Sequence, residues 1–324
     1  MTRIKALTSV ALFMLPVTNA AVAAQTWDMP TAYPASNFQT VNAHEFSVCV
    51  ADGTKGDINI VLHPNGSLFK GNDIKRAVQT GQTQIGERLL SSHENENPVF
   101  GTDSIPFIAT TYDDSVKLFE SARPELDKVL SNQGLKLLYS VPWPPQGLYF
   151  KKDVNSVADM AGIKVRSYNK STARLAELTA MSPVSIEAAE ISQAMAAGVI
   201  ASLITSSVTG KDSKVWEQLD HFYTVNAWMP RNSVIVNQAV WEGLSKDSQG
   251  VVLDCAKKAE AAGLIKSKAA NDEALAALKG NGVQVLVPSA QLTAELAKIG
   301  ETIAKEWATK VGAAGADIMV RFKK

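Results

Sequence analysis

The fold class of this chain follows from one stretch of its sequence, Ser156-Val157-Ala158-Asp159-Met160-Ala161-Gly162-Ile163-Lys164-Val165-Arg166. The end of this stretch opens a predicted strand at residues 163–168, and a predicted helix follows at residues 171–180. Further strands are predicted at 183–186 and 199–205, with a helix at 188–198 between them. Alternating strands and helices are typical of α/β proteins with mostly parallel sheets. Such sheets bind ligands at the carboxyl ends of their strands.

The same alternation extends in both directions along the chain. Upstream, helices are predicted at 37–52, 72–79 and 113–132, with strands at 57–63, 83–90 and 135–141. Downstream come a strand at 233–236, a long helix at 246–279 weakened by Gly263, a strand at 283–287, a helix at 289–310 and a short tail. A chain of 324 residues is too long for one core, so we expect two lobes. The proline-rich residues 142–145 are the predicted first crossing between them.

The first 24 residues have the order of a Sec-type signal peptide. Arg3 and Lys5 precede an apolar stretch at residues 6–17, and small residues follow at 20–24. We expect cleavage after Ala23 or Ala24. A membrane anchor is the alternative, but it needs about 20 apolar residues, and this run is shorter. The mature protein is therefore expected in the periplasm.

Charge and cysteine content limit the partners of the chain. It has 32 basic and 32 acidic residues, so no basic excess favours nucleic-acid binding. Its two cysteines, Cys49 and Cys255, are spaced wrongly for a zinc site. Export permits a disulfide between them, and two buried free thiols are the alternative.

No catalytic or cofactor motif stands out in the sequence. It has no nucleophile elbow, zinc-protease motif, phosphate loop or dinucleotide-binding glycine pattern. The four histidines do not pair at metal-ligand spacing. They are His44, His63, His93 and His221. We therefore expect no metal, no cofactor and no enzymatic activity.

Several ordered segments resemble the substrate-binding subunits of TRAP (tripartite ATP-independent periplasmic) transporters of the C4-dicarboxylate-binding type. The clearest is the stretch at 156–166, which is similar to the family signature ending in arginine. Further segments match in the same order, namely Pro64-Asn65-Gly66-Ser67-Leu68, Ala77-Val78-Gln79-Thr80-Gly81, Ile105-Pro106-Phe107, Pro183-Val184, Glu190 and Ala194-Met195 with Gly198-Val199-Ile200. Together they cover essentially the whole mature chain.

The resemblance implies a two-lobed clamshell with a long helix spanning both lobes. By this analogy lobe I comprises residues 25–143 and 231–271, and lobe II comprises residues 144–230 and 272–324. A solute is captured between the lobes and presented to a membrane permease driven by an ion gradient. The signature arginine, Arg166 here, is expected to bind the solute carboxylate, because a planar guanidinium matches a carboxylate with two hydrogen bonds.

The resemblance carries other ligand-facing positions less directly. They fall on Gln146, Thr205 or neighbouring Ser206, Tyr33, Leu89 and Ser92, several of which replace charged residues of sialic-acid binders. The aromatic residues Tyr33, Trp143, Tyr168 and Trp228 are expected near the cleft. These residues favour an acid with one dominant carboxylate and a less polar body, aromatic or branched, and leave a dicarboxylate or a sugar acid open.

The sequence therefore predicts a periplasmic solute receptor that delivers an organic acid to TRAP permease subunits. A ligand-sensing protein for a membrane receptor is one alternative. A periplasmic enzyme on the same fold is another, although it would need a nucleophile or metal site that the sequence does not reveal.

Overall fold

The computed structural model describes residues 24–324. The predicted signal peptide, apart from Ala24, lies outside this range. Within the range, no helix combines the length and the apolar character that a bilayer crossing requires. The strands are β1 (Gln25–Pro30), β2 (Ile58–His63), β3 (Ile85–Leu89), β4 (Leu135–Pro142), β5 (Gln146–Phe150), β6 (Lys164–Ser167), β7 (Ser182–Ser185), β8 (Ser202–Ser206), β9 (His221–Tyr223), β10 (Arg231–Asn237) and β11 (Gln284–Leu286).

Helices cover both lobes and include one that is much longer than the others. They are α1 (Phe38–Gly53), α2 (Gly71–Gln79), α3 (Tyr112–Ser131), α4 (Lys170–Leu178), α5 (Ile191–Ala196), α6 (Ser207–Asp212), α7 (Gln238–Glu242), α8 (Lys246–Gly280), α9 (Ala290–Val311) and α10 (Ala313–Lys323). The predicted short tail is in fact helix α10, which buries Ile318 against the first lobe. Its short amphipathic pattern follows Gly312 too closely to stand out in the sequence.

Two separate groups of strands form the two lobes. In the first lobe β1 pairs with β2, and β10 lies between β3 and β4. In the second lobe six strands form one sheet in the order β11-β9-β5-β8-β6-β7. The residue bounds predicted for the lobes stay a prediction.

The sheets are more mixed than the predicted mostly parallel arrangement. Strand β10 is antiparallel to β3 and β4, and β5 is antiparallel to β8 and β9, whereas the other pairings are parallel. Both exceptions lie where the chain passes between the lobes, because β4 leads directly into β5 and β9 leads into β10. Strand β5, directly after the proline-rich segment, has no counterpart among the predicted elements.

Helix α8 connects the two lobes. Its 35 residues would extend about 50 Å along the helix axis. Its first part packs on α1 and β4, and its later part contacts α6 and β11. The predicted helix that spans both lobes is therefore present.

A disulfide joins Cys49 of α1 to Cys255 of α8, with the two Cα atoms 5.8 Å apart. Of the two alternatives that the sequence left open, the disulfide is the one in the structure. The bond closes a loop across a sequence separation of 206 residues. Cross-links that close loops of this length restrict the unfolded chain most strongly. In the folded protein, the bond attaches the first part of α8 to α1 in the first lobe.

Candidate functional site

The site is built around Arg166, near the carboxyl end of β6. Strands β7 and β8 run parallel to β6 on either side, so the carboxyl ends of all three lie at one edge of the sheet. The Arg166 side chain is 5% exposed. Its Nε donates to the carbonyl of Ile186 at 2.9 Å, and its guanidinium carbon lies 4.9 Å from the centre of the Tyr168 ring.

The two terminal nitrogens of Arg166 have no hydrogen-bond partner within residues 24–324, nor does any carboxylate in this range form an ion pair with the guanidinium. Burial lowers the pKa of Arg166 to about 10, and nearby Arg88 contributes in the same direction. The group still carries its charge at neutral pH. A buried charge without a counter-ion is unfavourable, and an anion on the free nitrogens would relieve that cost.

Arg166 faces a small cavity between the two lobes. The cavity has about 290 Å³ of space free of protein atoms, part of it open to solvent. Its walls combine aromatic rings with a few polar side chains. The lining residues are Tyr33, Leu89, Trp143, Gln146, Arg166, Tyr168, Ala188, Thr205, Thr209 and Pro230.

One series of hydrogen bonds fixes the polar wall of this cavity. The indole N–H of Trp228 donates to the Tyr168 hydroxyl at 3.0 Å, and that hydroxyl donates to the Gln146 side-chain oxygen at 3.0 Å. The Gln146 side-chain nitrogen then donates to the carbonyl of Pro144 at 2.8 Å. Tyr168 and Gln146 are thereby held in place before a ligand arrives.

The structure brings six of the nine predicted ligand-binding residues to the cavity wall. They are Tyr33, Leu89, Gln146, Arg166, Tyr168 and Thr205. Trp228 lies behind Tyr168 as its hydrogen-bond donor. Ser206 caps helix α6, where its hydroxyl accepts from the backbone N–H of Thr209 at 3.2 Å. Whether these residues contact a solute stays a prediction.

Ser92, the remaining predicted residue, belongs to an adjoining cavity. Its hydroxyl donates to the Tyr168 carbonyl at 3.3 Å. This second cavity has about 370 Å³ free of protein atoms, and Tyr33, Leu89, Arg166 and Tyr168 line it as well. The two spaces therefore meet at Arg166.

The adjoining cavity contains two charged residues that the sequence analysis missed, Arg88 and Glu187. Arg88 lies in β3, whose five residues are all buried. A charged residue in a fully buried strand was the available signal. Glu187 follows β7 and reaches across the cleft to helix α2, where its carboxylate accepts from the backbone N–H groups of Gly71 at 2.9 Å and Asn72 at 3.0 Å.

A buried carboxyl group, Glu87, lies behind the cavity. The Trp143 indole donates to the Asn232 side-chain oxygen at 2.7 Å, and the Asn232 side-chain nitrogen donates to Glu87 Oε1. The other carboxyl oxygen of Glu87 has no partner in the described part of the chain. Burial raises the pKa of Glu87 to about 7.

Within residues 24–324, no group of three or more His, Cys, Asp or Glu side chains is arranged to hold a metal ion. The first cavity thus presents one cation, Arg166, to a half-apolar space between the two lobes. Such an arrangement can hold a small anion.

Residues 30–310 match the family model described as bacterial extracellular solute-binding protein, family 7. The chain belongs to this family. The predicted two-lobed fold and solute-receptor function are thereby confirmed at the level of the family, whose members are extracellular receptors.

Similar proteins agree with this membership. A TRAP solute-binding protein from a marine metagenome, specific for pyroglutamate, is 46% identical with a TM-score of 0.92, covering 93% of this chain and 99% of its own. A Bordetella pertussis extracytoplasmic solute receptor that binds pyroglutamic acid is 41% identical with a TM-score of 0.91, covering 92% of this chain and 99% of its own. A monocarboxylate 2-oxoacid-binding periplasmic protein from Nostoc sp. is 24% identical over 88% of this chain and 79% of its own.

Proposed function

We propose that this chain is the periplasmic receptor of a TRAP transporter and that its solute is pyroglutamate or a closely similar small cyclic monocarboxylate. The observation that carries the proposal is the buried Arg166, which lines the cavity and whose two terminal nitrogens have no hydrogen-bond partner among residues 24–324. A solute carboxylate would accept one hydrogen bond from each of these nitrogens, which is the common two-bond pairing of guanidinium and carboxylate groups.

The cavity also suits the rest of such a solute. Pyroglutamate is a five-membered ring with one carboxylate, one carbonyl and one N–H. The rings of Tyr33 and Trp143, whose centres are 4.8 Å apart, provide an apolar wall for the ring carbons. Thr205 and Thr209 bring hydroxyl groups to the same cavity, where they can meet the amide edge. Receptors of this solute at 41% and 46% identity support the choice over a sugar acid.

The mechanism is capture followed by delivery. The carboxylate binds Arg166 in lobe II while the ring contacts Tyr33 of lobe I, so one solute joins both lobes. Contacts that exist only in the closed form shift the receptor towards closure. The closed receptor then docks on the membrane permease. Export through the predicted signal peptide places the receptor where solute and permease meet.

Calorimetric titration tests the solute assignment. The exported protein, dialysed free of bound solute, would be titrated with pyroglutamate, proline and glucuronate. We expect heat from pyroglutamate alone, because proline lacks the ring carbonyl and carries an ammonium group, and glucuronate is larger. Arg166→Ala should lose about 2–5 kcal/mol of binding free energy. Arg76→Ala, an exposed arginine outside this cavity, is the matched control.

Two results would contradict the proposal. Unchanged affinity in Arg166→Ala would show that Arg166 does not bind the solute. Binding of glucuronate but not of pyroglutamate would show that the solute assignment is wrong. The transport role is tested separately, by uptake of labelled pyroglutamate in cells with and without the gene.

A further inference from the structure

Two guanidinium groups, not one, line the connected cavities. Arg88 is 6% exposed, and its Nη2 donates to the side-chain oxygen of Asn72. Its Nε is buried without a hydrogen-bond partner in the described part of the chain. Arg88 and Arg166 line the same adjoining cavity, so a ligand with two carboxylates would find two cations there.

Glu187 provides a negative charge beside Arg88. Glu187 and Arg88 both lie beside Gly71. A Cβ atom placed on this glycine would lie 2.8 Å from Glu187 Oε2 and 2.9 Å from Arg88 Nη1, so the two charged groups share the space that the missing side chain leaves open. The Glu187 charge also favours the charged forms of both Arg88 and Arg166. Opposite charges that are partly shielded from water attract each other more strongly than fully exposed ones.

The charged groups around the two cavities have a net charge that one anionic group would neutralise. Arg166 and Arg88 contribute two positive charges, and Glu187 removes one. Glu87 lies outside the lining of both cavities, hydrogen-bonded to Asn232, and burial raises its pKa to about 7, which removes part of its charge. Asp73 is exposed to solvent on α2. The net charge that the ligand meets is therefore close to one positive unit.

We propose that Glu187 is a specificity-determining residue. Its carboxylate neutralises the positive charge of Arg88 and thereby restricts this receptor to monocarboxylates. This inference rests on the proposed function, since it takes the ligand to be an acid bound through Arg166. A dicarboxylate would place its second carboxylate near Arg88 and meet the Glu187 carboxylate there. Placing a like charge against the wrong ligand is one of the ways in which binding sites achieve specificity.

Glu187 also holds the lobes together through helix α2, and this second role must be separated from the first. If Glu187 acts through its hydrogen bonds to Gly71 and Asn72 alone, its removal should weaken all ligands by the same factor. If it acts through its charge, the ratio of affinities for two classes of acid should change.

The test compares pyroglutamate with glutarate, a dicarboxylate that also has five carbons, by calorimetry on the full exported protein. In Glu187→Gln we expect the affinity ratio to shift towards glutarate by about tenfold or more. Glu187→Asp keeps the charge on a shorter side chain, so it should weaken the contact with α2 and preserve the monocarboxylate preference. Adding Arg88→Gln to Glu187→Gln should abolish the gained glutarate affinity.

Glu190→Gln is the control, because Glu190 is exposed and does not line the cavities. The Glu190 carboxylate accepts from the backbone N–H of Glu187 at 3.4 Å, and an amide oxygen can keep that bond while the charge is removed. This control variant should leave the ratio unchanged. An unchanged ratio in Glu187→Gln, including an equal loss for both acids, would overturn the role of Glu187 while leaving the proposed function intact. Absence of pyroglutamate binding to the unmodified protein would instead overturn the proposed function, and this inference with it.

Discussion

Among the polar side chains of the cleft, some already have hydrogen-bond partners in the described part of the chain and others do not. Tyr168 uses its hydroxyl once as acceptor and once as donor, between Trp228 and Gln146. Buried polar groups that are fully paired keep one geometry, whereas an unpaired buried group favours an incoming ligand atom. Arg166 lines the cavity with one nitrogen paired and two that have no hydrogen-bond partner in the described part of the chain. Recognition therefore concentrates on these two nitrogens.

Removal of the Tyr168 hydroxyl tests this division. In Tyr168→Phe the Trp228 indole and the Gln146 oxygen both lose their partner, so we expect a loss of about 1–3 kcal/mol in the free energy of unfolding. Pyroglutamate affinity should fall as well, because Gln146 is no longer held. Tyr112→Phe removes a hydroxyl that pairs with Ser267 at 3.1 Å away from the cleft. It should reduce stability without changing affinity, and equal affinities in both variants would contradict the arrangement.

The buried carboxyl of Glu87 should make stability depend on pH. Burial raises the pKa of Glu87 from 4.5 to about 7, so between these values the folded protein binds more protons than the unfolded chain. This contribution to stability is present at about pH 4.5 and decreases as pH rises through about 7. Glu87→Gln keeps an oxygen for Asn232 but cannot ionise. Its stability relative to the unmodified protein should therefore rise by about 2 kcal/mol from about pH 5 to about pH 8.

Urea unfolding at several pH values measures that difference. His93 and Asp103 also have displaced pKa values, but both are present in the two proteins and their effects cancel in the comparison. Glu190→Gln removes an exposed carboxyl and should show no such trend. A constant difference between Glu87→Gln and the unmodified protein would show that Glu87 does not titrate in this range.

Among the elements, helix α8 depends on one close approach to strand β4. A Cβ atom on Gly263 would lie 2.4 Å from Val141 Cγ2, so only glycine allows this helix to lie so near the sheet. The sequence predicts that Gly263 weakens the helix, which is correct for an isolated helix. Packing reverses the conclusion, because the glycine is what lets α8 contact the first lobe.

Two glycine substitutions in α8 separate helix propensity from packing. Gly263→Ala should destabilise the protein by about 1–3 kcal/mol, since the clash with Val141 exceeds the gain in propensity. Gly250→Ala lies in the same helix with no atom near its added Cβ. It should stabilise by about 0.5–1 kcal/mol. Chemical denaturation measures both changes, and a stabilising Gly263→Ala would contradict the close approach.

In the whole molecule, hydrogen bonds between the lobes hold the cleft closed. Asn37 donates to Asp212 at 2.7 Å near one end of α6. Asn169, in the second lobe, donates to the hydroxyls of Ser91 at 3.0 Å and Ser104 at 3.1 Å in the first. Both serines are fully buried. These bonds stabilise the closed form relative to an open one.

The double variant Ser91→Ala with Ser104→Ala tests this contribution. It leaves the Asn169 side-chain nitrogen buried without an acceptor, at a cost of about 1–3 kcal/mol to the closed form. We expect weaker pyroglutamate binding, mainly through faster dissociation, by stopped-flow fluorescence. Ser47→Ala with Ser121→Ala removes two hydroxyls that bond to carbonyls of their own helices. A similar dissociation rate in both double variants would mean that Asn169 does not hold the lobes together.

The sequence predicts much of this molecule, for reasons that differ between elements. Long helices such as α3 and α8 are visible in the sequence because residues that favour helices, such as Ala, Leu, Lys and Glu, extend over many positions. Arg166 was found through a motif that fixes both its strand and its position. The sequence predicts a ligand-contacting role for Thr205 or neighbouring Ser206; in the structure the Ser206 hydroxyl caps helix α6, and its contact with a solute stays a prediction. Glu187 and Arg88 were missed because their meeting depends on the closure of two lobes, which no local pattern encodes.

The disulfide between Cys49 and Cys255 also governs how this protein matures. With two cysteines in the whole sequence, the chain has one possible internal pairing, so oxidation alone completes it and no reshuffling is needed. The second cysteine lies beyond most strands of both lobes. The bond can therefore form only after 255 of the 324 residues have been synthesised, when the residues of ten of the eleven strands are already in place along the chain.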